Sequence, residues 1–293
     1  MNYRDCYEEG RRVLAEAGIE EAKLDARLLL EYICGTGRND LLAHGEREVE
    51  ENKRQRYEEL IRKRAGHIPM QHLTGSQDFM GLEFLVNENV LIPRQDTEIL
   101  VEEALKELHD GMRLLDMCTG SGCILVSLLH YTNGCSGVGA DISMKALKVA
   151  QENASRLLGE DNGAEFIHSS LFEKVEGRFD MIVSNPPYIR SKEIGTLMPE
   201  VREHEPLEAL DGREDGLYFY IKIVEESRKF LLRGGKLYFE TGYDQAQSVL
   251  ALMKSAGFEE LEVVKDYSGL DRVVFGTWNG AACYDGGDGG RNV

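Results

Sequence analysis

An asparagine, two prolines and a tyrosine follow directly after the apolar run Met181–Ser184. The run is typical of a buried strand, and the two prolines end it because each has a fixed φ and lacks a backbone N–H. The strand therefore stops with the polar amide of Asn185 and the aromatic ring of Tyr188 at its carboxyl end. A polar amide is unusual at this place unless a ligand binds there. The competing interpretation is a structural turn.

A glycine-containing run follows the predicted strand Arg113–Met117 and opens a predicted helix. Its glycines let the backbone approach a ligand closely, and the helix N-terminus favours an anion. Taken alone, such a run also fits a tight turn between a strand and a helix. The candidate binding residues of the run are Cys118, Thr119, Gly120, Ser121 and Gly122.

A carboxylate, Asp141, ends the next predicted strand. A carboxylate at this place can accept hydrogen bonds from both hydroxyls of a ribose, although a turn acid or helix cap would also sit there. The glycine run and Asp141 together predict a nucleoside cofactor. Leu125 stands where the NAD fingerprint has its third glycine, and a dehydrogenase has no use for Asn-Pro-Pro-Tyr. These two points favour S-adenosylmethionine over NAD.

The elements that would position these residues alternate between strand and helix from Arg94 onward. This alternation is typical of an α/β fold with a doubly wound, mostly parallel sheet. Seven strands are predicted, and Ser143 is a plausible N-cap for the helix that follows Asp141. The predicted strands are RLLDM, SGVGA, AEFIHS, FDMIVS, KLYFE, LEVVKD and RVVFGTW, and the stretch between FDMIVS and Gly216 is predicted to be irregular.

The first 66 residues are predicted to form a bundle of three short helices. A glycine follows each helix, at Gly18, Gly35 and Gly66, and would supply a left-handed cap. Next, the apolar runs LEFLV and VLI flank Asn87–Asn89 and predict a β-hairpin that connects two domains. The predicted organisation is a helical domain over 1–73, a hairpin connector over 74–92, a catalytic domain over 93–278 and a flexible tail over 279–293.

Composition narrows the classes of function. The 293 residues include 34 basic and 52 acidic side chains, for a net charge of −18, which disfavours broad binding to a nucleic-acid backbone. No apolar run reaches the roughly 20 residues that span a bilayer, and the N-terminus lacks the apolar core of a signal peptide. A cytoplasmic protein is expected. The six cysteines form no CxxC pair, so we expect free thiols and no bound metal.

Five segments in this order resemble those of the glutamine N5-methyltransferases that act on peptide chain release factors: IPRQDTE, DMCTGSG, ADIS, VSNPPYI and GLYFY. The resemblance covers nearly the whole chain apart from its C-terminal tail. It implies a Rossmann-like class I methyltransferase domain, S-adenosylmethionine as cofactor, and the Gln of a Gly-Gly-Gln loop in release factors as substrate. It also implies that the helical domain docks the release factor.

The chemistry of amide methylation suits the same residues. An amide nitrogen is a poor nucleophile because its lone pair is delocalised into the carbonyl. Two acceptors on its two N–H groups, assigned to the Asn185 side-chain oxygen and the Pro186 carbonyl, would orient it and strengthen as positive charge develops. Tyr188 would pack its ring on the flat amide, and no strong general base is required. The predicted catalytic residues are Asn185, Pro186 and Tyr188; Pro187 joins them in binding substrate, and Asn185 also lies at the cofactor.

The sequence departs from the family pattern at three positions. Cys118 stands where the family usually has glycine, and Gln95 where it usually has proline. Ser170 stands where the family commonly has an acid near the adenine, so Leu171 is the better candidate for contact with that ring. The segment 198–216 is expected to form the lip of the substrate cleft.

Two other classes of function are compatible with parts of the pattern. Asn-Pro-Pro-Tyr also occurs in N-methyltransferases that act on an exocyclic amino group of a DNA or RNA base, which would be flipped into the same slot. Such an enzyme is expected to carry a basic face with aromatics, whereas this chain is acidic and has 1 Trp. A non-enzymatic binding protein on the same scaffold is the third class. We expect a monomer that does not bind nucleic acid directly.

Overall fold

The computed structural model describes residues 1–161 and 163–280, so most of the tail predicted over 279–293 lies outside the described residues. The chain forms two compact units. The first contains Met1–Gln77, Leu85–Ile92 and Gly195–Leu207, and the second contains Asp78–Phe84, Pro93–Ile194 and the described chain from Glu208. No helix in the described part of the chain is long and apolar enough to cross a membrane.

The first unit is helical, and its helices enclose an apolar core. Tyr57, Leu14 and Leu30 are almost fully buried in this core. The prediction of three helices was wrong because the short third helix has no buried residue and therefore leaves no apolar periodicity in the sequence. The helices are α1 (Tyr3–Glu16), α2 (Ala22–Cys34), α3 (Arg38–Ala43), α4 (Glu51–Ala65) and α5 (Met70–Thr74).

The predicted glycine caps are only partly confirmed. Gly35 ends α2 with φ 66°, and Gly18, two residues beyond the end of α1, has φ 77°. Gly66 instead ends α4 with φ −85°, and the left-handed residue is the next one, His67, with φ 63°. The left-handed turn is therefore one residue later than predicted, where the His67 N–H bonds back to the Arg64 carbonyl.

The hairpin lies within the predicted connector over 74–92, but its strands and its turn differ from the prediction. Its strands are β1 (Ser76–Phe79) and β2 (Leu82–Leu85), which pair with each other. Met80 and Gly81 join them with φ 52° and 72°, the positive values that a two-residue hairpin turn of type I′ requires. LEFLV thus supplies the second strand rather than the first, and Asn87–Asn89 forms a turn outside the sheet.

The second unit is built on a seven-stranded sheet of the predicted kind, with strand order β5-β4-β3-β6-β7-β9-β8. Neighbouring strands are parallel except for β9, which runs antiparallel to both of its partners. The strands are β3 (Arg113–Met117), β4 (Ser136–Asp141), β5 (Ala164–His168), β6 (Phe179–Ser184), β7 (Leu231–Glu240), β8 (Glu259–Lys265) and β9 (Asp271–Trp278).

Helices cover both faces of the sheet, as a doubly wound fold requires. Side chains of β6 alternate between the two faces: Val183 contacts one apolar cluster and Ile182 the other. Ser143 caps α8 by accepting a hydrogen bond from the Ala146 N–H at 3.2 Å, as predicted. The long helices of this unit are α6 (Gln95–Leu105), α7 (Cys123–His130), α8 (Met144–Leu158), α11 (Tyr218–Phe230) and α12 (Ala246–Ser255).

The stretch between β6 and α11 is less irregular than predicted. It contains a 3-10 helix (Ser191–Thr196) and the short helices α9 (Pro199–His204) and α10 (Leu207–Leu210). Each has at most six residues, which is too short for a periodic apolar pattern to stand out.

The strand order reverses between β3 and β6, because the chain adds β4 and β5 on one side of β3 and then β6 on the other. Met117 and Ser184, the last residues of these strands, lie side by side in register. The Ser184 hydroxyl donates to the Met117 carbonyl at 2.6 Å. The loops after β3 and β6 therefore leave the sheet at the same edge, where ligands bind in open α/β sheets.

Candidate functional site

The loop after β3 is held by a buried carboxylate beneath it. Asp116 is fully buried, and its Oδ2 accepts from the Thr119 hydroxyl at 2.6 Å and from the Leu125 N–H at 3.3 Å. Its Oδ1 has no hydrogen-bond partner among the described residues. Burial raises the pKa of Asp116 to about 7, although the hydrogen bond from Thr119 acts in the opposite direction. Thr119 therefore points into the protein rather than towards a ligand.

Most backbone N–H groups of the loop also have partners within the protein. Those of Cys118 and Thr119 both donate to the Ala140 carbonyl, and that of Gly122 donates to the Thr119 carbonyl. Ser121 is buried, with its carbonyl held by the Asn153 side chain at 2.9 Å. At the N-terminus of the following helix, the Leu125 N–H already donates to the Asp116 carboxyl, and the prediction that this terminus favours an anion from a ligand stays a prediction.

Asp141 joins the end of β4 to the glycine loop. One of its oxygens accepts from the Gly120 N–H at 2.9 Å, and the other accepts from the Ser143 N–H at 2.8 Å. Burial raises the pKa of Asp141, and these backbone hydrogen bonds act against that rise. A carboxylate oxygen accepts more than one hydrogen bond, so both oxygens keep capacity for the hydroxyls of a ribose.

Two residues of the site have backbone conformations that favour glycine. Cys118 has φ 64° and Leu171 has φ 49°. The value at Cys118 explains why a related sequence would carry glycine there. Both side chains are half-buried and pack against an apolar cluster of the sheet, whereas Ser170 is exposed. Ile142, next to Asp141, is an apolar side chain with 59% exposure that the sequence analysis did not single out.

The loop after β4, the loop after β5 and the glycine loop fit the nucleoside half of S-adenosylmethionine. Gly120 has φ 55°, and a Cβ built there would meet no atom within 4 Å, so the loop leaves open space on that side. The Asp116 carboxyl already accepts from the Leu125 N–H at the start of the helix, and the cofactor predicted from the sequence has no phosphate to place there. The residues of this loop therefore fit a cationic nucleoside better than a dinucleotide.

The Asn-Pro-Pro-Tyr segment begins where β6 ends. Pro186 and Pro187 are buried, while Asn185 and Tyr188 are partly exposed. The Asn185 Nδ2 donates to the Thr97 hydroxyl oxygen at 3.3 Å. No described residue donates a hydrogen bond to the Asn185 side-chain oxygen or the Pro186 carbonyl. The segment thus carries, beside an aromatic ring, two acceptors that have no partner within the described part of the chain.

Two buried side chains behind this segment, Thr97 and Glu240, were not identified by the sequence analysis. Glu240, the last residue of β7, is 1% exposed, and it accepts from the Thr97 hydroxyl at 2.5 Å and from the Tyr188 hydroxyl at 3.2 Å. Burial raises the pKa of Glu240, while Thr97, Arg272 and Tyr188 act in the opposite direction. The sequence did contain a signal for Glu240, because an acidic residue at the end of an apolar strand is unusual.

Contacts to the backbone of Tyr188 also hold this residue in place. The buried Gln245 donates from Nε2 to the Tyr188 carbonyl at 3.0 Å and to the Gly216 carbonyl at 3.3 Å. Ile189 pairs with Asp211 in an isolated parallel bridge. A Cβ added at Gly212 would lie 2.7 Å from the Tyr188 backbone, so only glycine lets the two segments approach so closely.

Comparisons with known proteins identify relatives along nearly the whole chain. The family model "PrmC N-terminal domain" matches residues 5–75, and "Methyltransferase small domain" matches residues 94–201. A release factor glutamine methyltransferase from Agrobacterium fabrum is 42% identical over 90% of this chain and 93% of its own length. One from Clostridium acetobutylicum is 39% identical over 96% of this chain and 100% of its own. A solved methyltransferase from Pyrococcus furiosus shares the fold, with a TM-score of 0.51, 18% identity and coverage of 69% of this chain and 91% of its own.

Proposed function

The chain belongs to the release factor glutamine methyltransferases, and on this premise we propose how its residues carry out the reaction. The enzyme transfers a methyl group from S-adenosylmethionine to a glutamine side-chain amide nitrogen of a release factor. The target we propose is the Gln of the Gly-Gly-Gln loop. S-adenosylmethionine supplies the methyl group as an electrophilic carbon on a sulfonium.

The proposed cofactor residues lie on the loops after β3, β4 and β5. Asp141 accepts from the ribose hydroxyls, and the open side of Gly120 lets the cofactor approach the loop. Leu171, together with the exposed Ile142, offers apolar surface to the adenine. Asn185 lies at the neighbouring strand end, where the two loops leave the sheet together. Cys118, Ser121 and Gly122 shape the loop, and Thr119 supports it from below through Asp116.

The proposed substrate residues lie on the segment after β6. The Asn185 oxygen and the Pro186 carbonyl accept the two N–H groups of the target amide, and the fixed φ of Pro186 and Pro187 holds the carbonyl in one direction. Both hydrogen bonds strengthen as the nitrogen gains positive charge, so they bind the transition state better than the ground state. The ring of Tyr188 confines the flat amide.

The proton balance requires no side-chain base. The nitrogen lone pair forms the bond to the methyl carbon, and the carbon–sulfur bonding pair stays on sulfur. The methylated nitrogen then loses one N–H proton to water. Burial and, to a smaller extent, the neighbouring Glu240 raise the pKa of Tyr188. Its hydroxyl therefore stays protonated and does not accept the proton that the nitrogen loses.

The observation that carries these roles is the pair of unpartnered acceptors at the end of β6, beside the loop of β3. The test measures methyl transfer to a release factor by wild type and by Asn185→Ala, with the site of the added methyl located by mass spectrometry. We expect kcat to fall by roughly 100-fold or more, as when one transition-state hydrogen bond is removed.

Two matched substrates complete this test. A release factor whose loop Gln is replaced by Glu lacks the amide nitrogen and should remain unlabelled. DNA and RNA should also remain unlabelled, and label in nucleic acid alone would contradict the assignment of the substrate. Wild-type turnover by Asn185→Ala would contradict the role of Asn185.

The helical unit is the part of the chain to which we assign recognition of the release-factor body. A three-residue loop offers little specificity by itself, so additional contacts are needed for one protein to be selected over another. The helical unit matches the N-terminal family model, which is separate from the model for the methyltransferase fold.

A further inference from the structure

Three polar side chains form a connected series behind the Asn-Pro-Pro-Tyr segment. The series runs from the Glu240 carboxylate through the Thr97 hydroxyl to the Asn185 amide, with distances of 2.5 Å and 3.3 Å. Glu240 and Thr97 are buried, with 1% and 2% exposure, so bulk water does not compete for these hydrogen bonds. The directions of the two hydrogen bonds can therefore be deduced from the chemistry of the groups.

The carboxylate of Glu240 fixes the first direction. An ionised carboxylate only accepts hydrogen bonds, so the single proton of the Thr97 hydroxyl points towards Glu240. The hydroxyl of Tyr188 donates to the other carboxylate oxygen at 3.2 Å. Each oxygen of Glu240 thus accepts a hydrogen bond from a hydroxyl, and these two bonds oppose the rise in the pKa of Glu240 that burial causes.

The Thr97 hydroxyl fixes the second direction. With its proton committed to Glu240, it presents only lone pairs to Asn185. The group that faces it is accordingly the NH₂ of Asn185, and the side-chain oxygen must point the other way. In the flipped amide, two oxygens would face each other without a proton between them.

We propose that Thr97 and Glu240 are positioning residues that select the amide orientation of Asn185 in which its oxygen faces the substrate. This inference rests on the proposed role of Asn185 as an acceptor for the target amide. A flipped Asn185 would present its NH₂ group and would attract the carbonyl oxygen of the glutamine instead of its nitrogen. The glutamine would still bind, but its nitrogen would be turned away from the methyl group.

The expected kinetic signature follows from this difference between binding and orientation. Loss of the Thr97 hydroxyl should lower kcat, because only a fraction of bound substrate is correctly oriented. It should change KM little, because both orientations bind. A merely structural role of Thr97 would lower stability and leave kcat per folded molecule unchanged.

The central variant is Thr97→Val, which replaces the hydroxyl with a methyl group of nearly the same size. We expect kcat to fall at least about tenfold, with KM for the release factor within about twofold of wild type. Cofactor affinity, measured by calorimetry, should be unchanged. Thr97→Ser restores the hydroxyl and should recover kcat to within about threefold. If Thr97→Val does not fold, Glu240→Gln provides the same test. An amide at this position can donate to the Thr97 hydroxyl oxygen, and the Thr97 hydroxyl can then donate to Asn185, which reverses both hydrogen bonds.

A double-mutant cycle separates this proposal from the one on which it rests. In the Asn185→Ala background, Thr97→Val should change kcat by less than about twofold, because the amide it orients is gone. Wild-type turnover by Asn185→Ala alone would remove the premise. If Asn185→Ala is impaired while Thr97→Val keeps wild-type kcat, or costs as much in the Asn185→Ala background as in wild type, the positioning role is overturned and the role of Asn185 stands.

Discussion

Three acidic side chains lie at the carboxyl ends of three strands of the sheet, and each has a different environment. Asp116 at β3 is fully buried with one unpartnered oxygen, and Asp141 at β4 accepts from two backbone N–H groups. Glu240 at β7 accepts from two hydroxyls. The same chemical group can therefore support a loop, offer acceptors to a ribose or orient another side chain, depending on its partners.

The raised pKa of Asp116 leads to a prediction about stability and pH. Its pKa is about 7 in the folded protein, against 3.8 for the ordinary value. Between these values the folded state binds more protons than the unfolded state, so the contribution of Asp116 to stability falls as pH rises through this window and is fully lost above it. Asp116→Asn cannot ionise and should escape this loss. Relative to wild type, it should gain on the order of 2–4 kcal/mol between about pH 4 and about pH 8.5.

The measurement for Asp116 is the urea dependence of unfolding at both ends of that pH range. Asp110→Asn is the matched control, because it makes the same change of side chain at an exposed position. An equal difference between Asp116→Asn and wild type at both pH values would contradict the assignment of the raised pKa.

At the scale of elements, the Asn-Pro-Pro-Tyr segment owes its conformation to a second segment that passes close to it. Gly212 and Gly216 lie against the Tyr188 backbone, and Gln245 at the start of α12 joins the carbonyls of Tyr188 and Gly216. The prolines end the strand by themselves, but these contacts set the direction in which the chain leaves it.

Gly216→Ala tests this contact between segments. Gly216 has φ 76°, and a Cβ there would overlap the Tyr188 carbonyl and the Gln245 side chain. We expect the Tyr188 segment to shift, with a loss of at least about tenfold in kcat and of about 1–3 kcal/mol in the free energy of unfolding. Steady-state kinetics and thermal unfolding measure the two effects.

Gly269→Ala is the control for backbone strain alone. Gly269 has φ 82°, close to the value at Gly216, but a Cβ there would meet no atom within 4 Å. It should lose about 1 kcal/mol of stability and keep wild-type kcat. If both alanine variants had the same kcat, close approach to Tyr188 would not matter for turnover.

At the scale of the whole molecule, the segment Gly195–Leu207 belongs to the helical unit although the chain reaches it from the sheet unit. A buried ion-pair cluster holds it there. Arg64 of α4 contacts Asp25 of α2 at 2.7 Å and Glu200 of α9 at 2.9 Å, and His67 also contacts Glu200 at 3.2 Å. Burial raises the pKa of Glu200, but its backbone hydrogen bond, Arg64 and His67 outweigh burial and lower it overall.

Arg64→Ala should therefore destabilise the helical unit strongly. It leaves the buried carboxylate of Asp25 and the partly buried carboxylate of Glu200 without their shared cation, and removal of one partner of a buried ion pair typically costs about 3–5 kcal/mol. Unfolding in urea measures the loss, and proteolysis within Gly195–Leu207 should become faster. Arg62→Ala removes an exposed arginine of the same helix and should change stability by no more than about 0.5 kcal/mol. Equal stability of the two variants would show that the cluster does not hold this segment.

The sequence by itself determined the order of strands and helices in the second unit, the kind of sheet, and the loops that carry the candidate residues. These features depend on periodicity and on the backbone preferences of glycine and proline, which act over a few neighbouring residues. The same local reasoning failed where an element was too short to show a period, as in α3, or where the turn was misassigned, as at Met80 and Gly81.

Only the tertiary structure decided which side chains surround Asn185. Thr97 lies 88 positions before it in the chain, and Glu240 lies 143 positions after Thr97. The order of strands in the sheet brings the ends of β6 and β7 together and places α6 beside them. Such contacts depend on how whole elements pack, and no local pattern in the sequence encodes them.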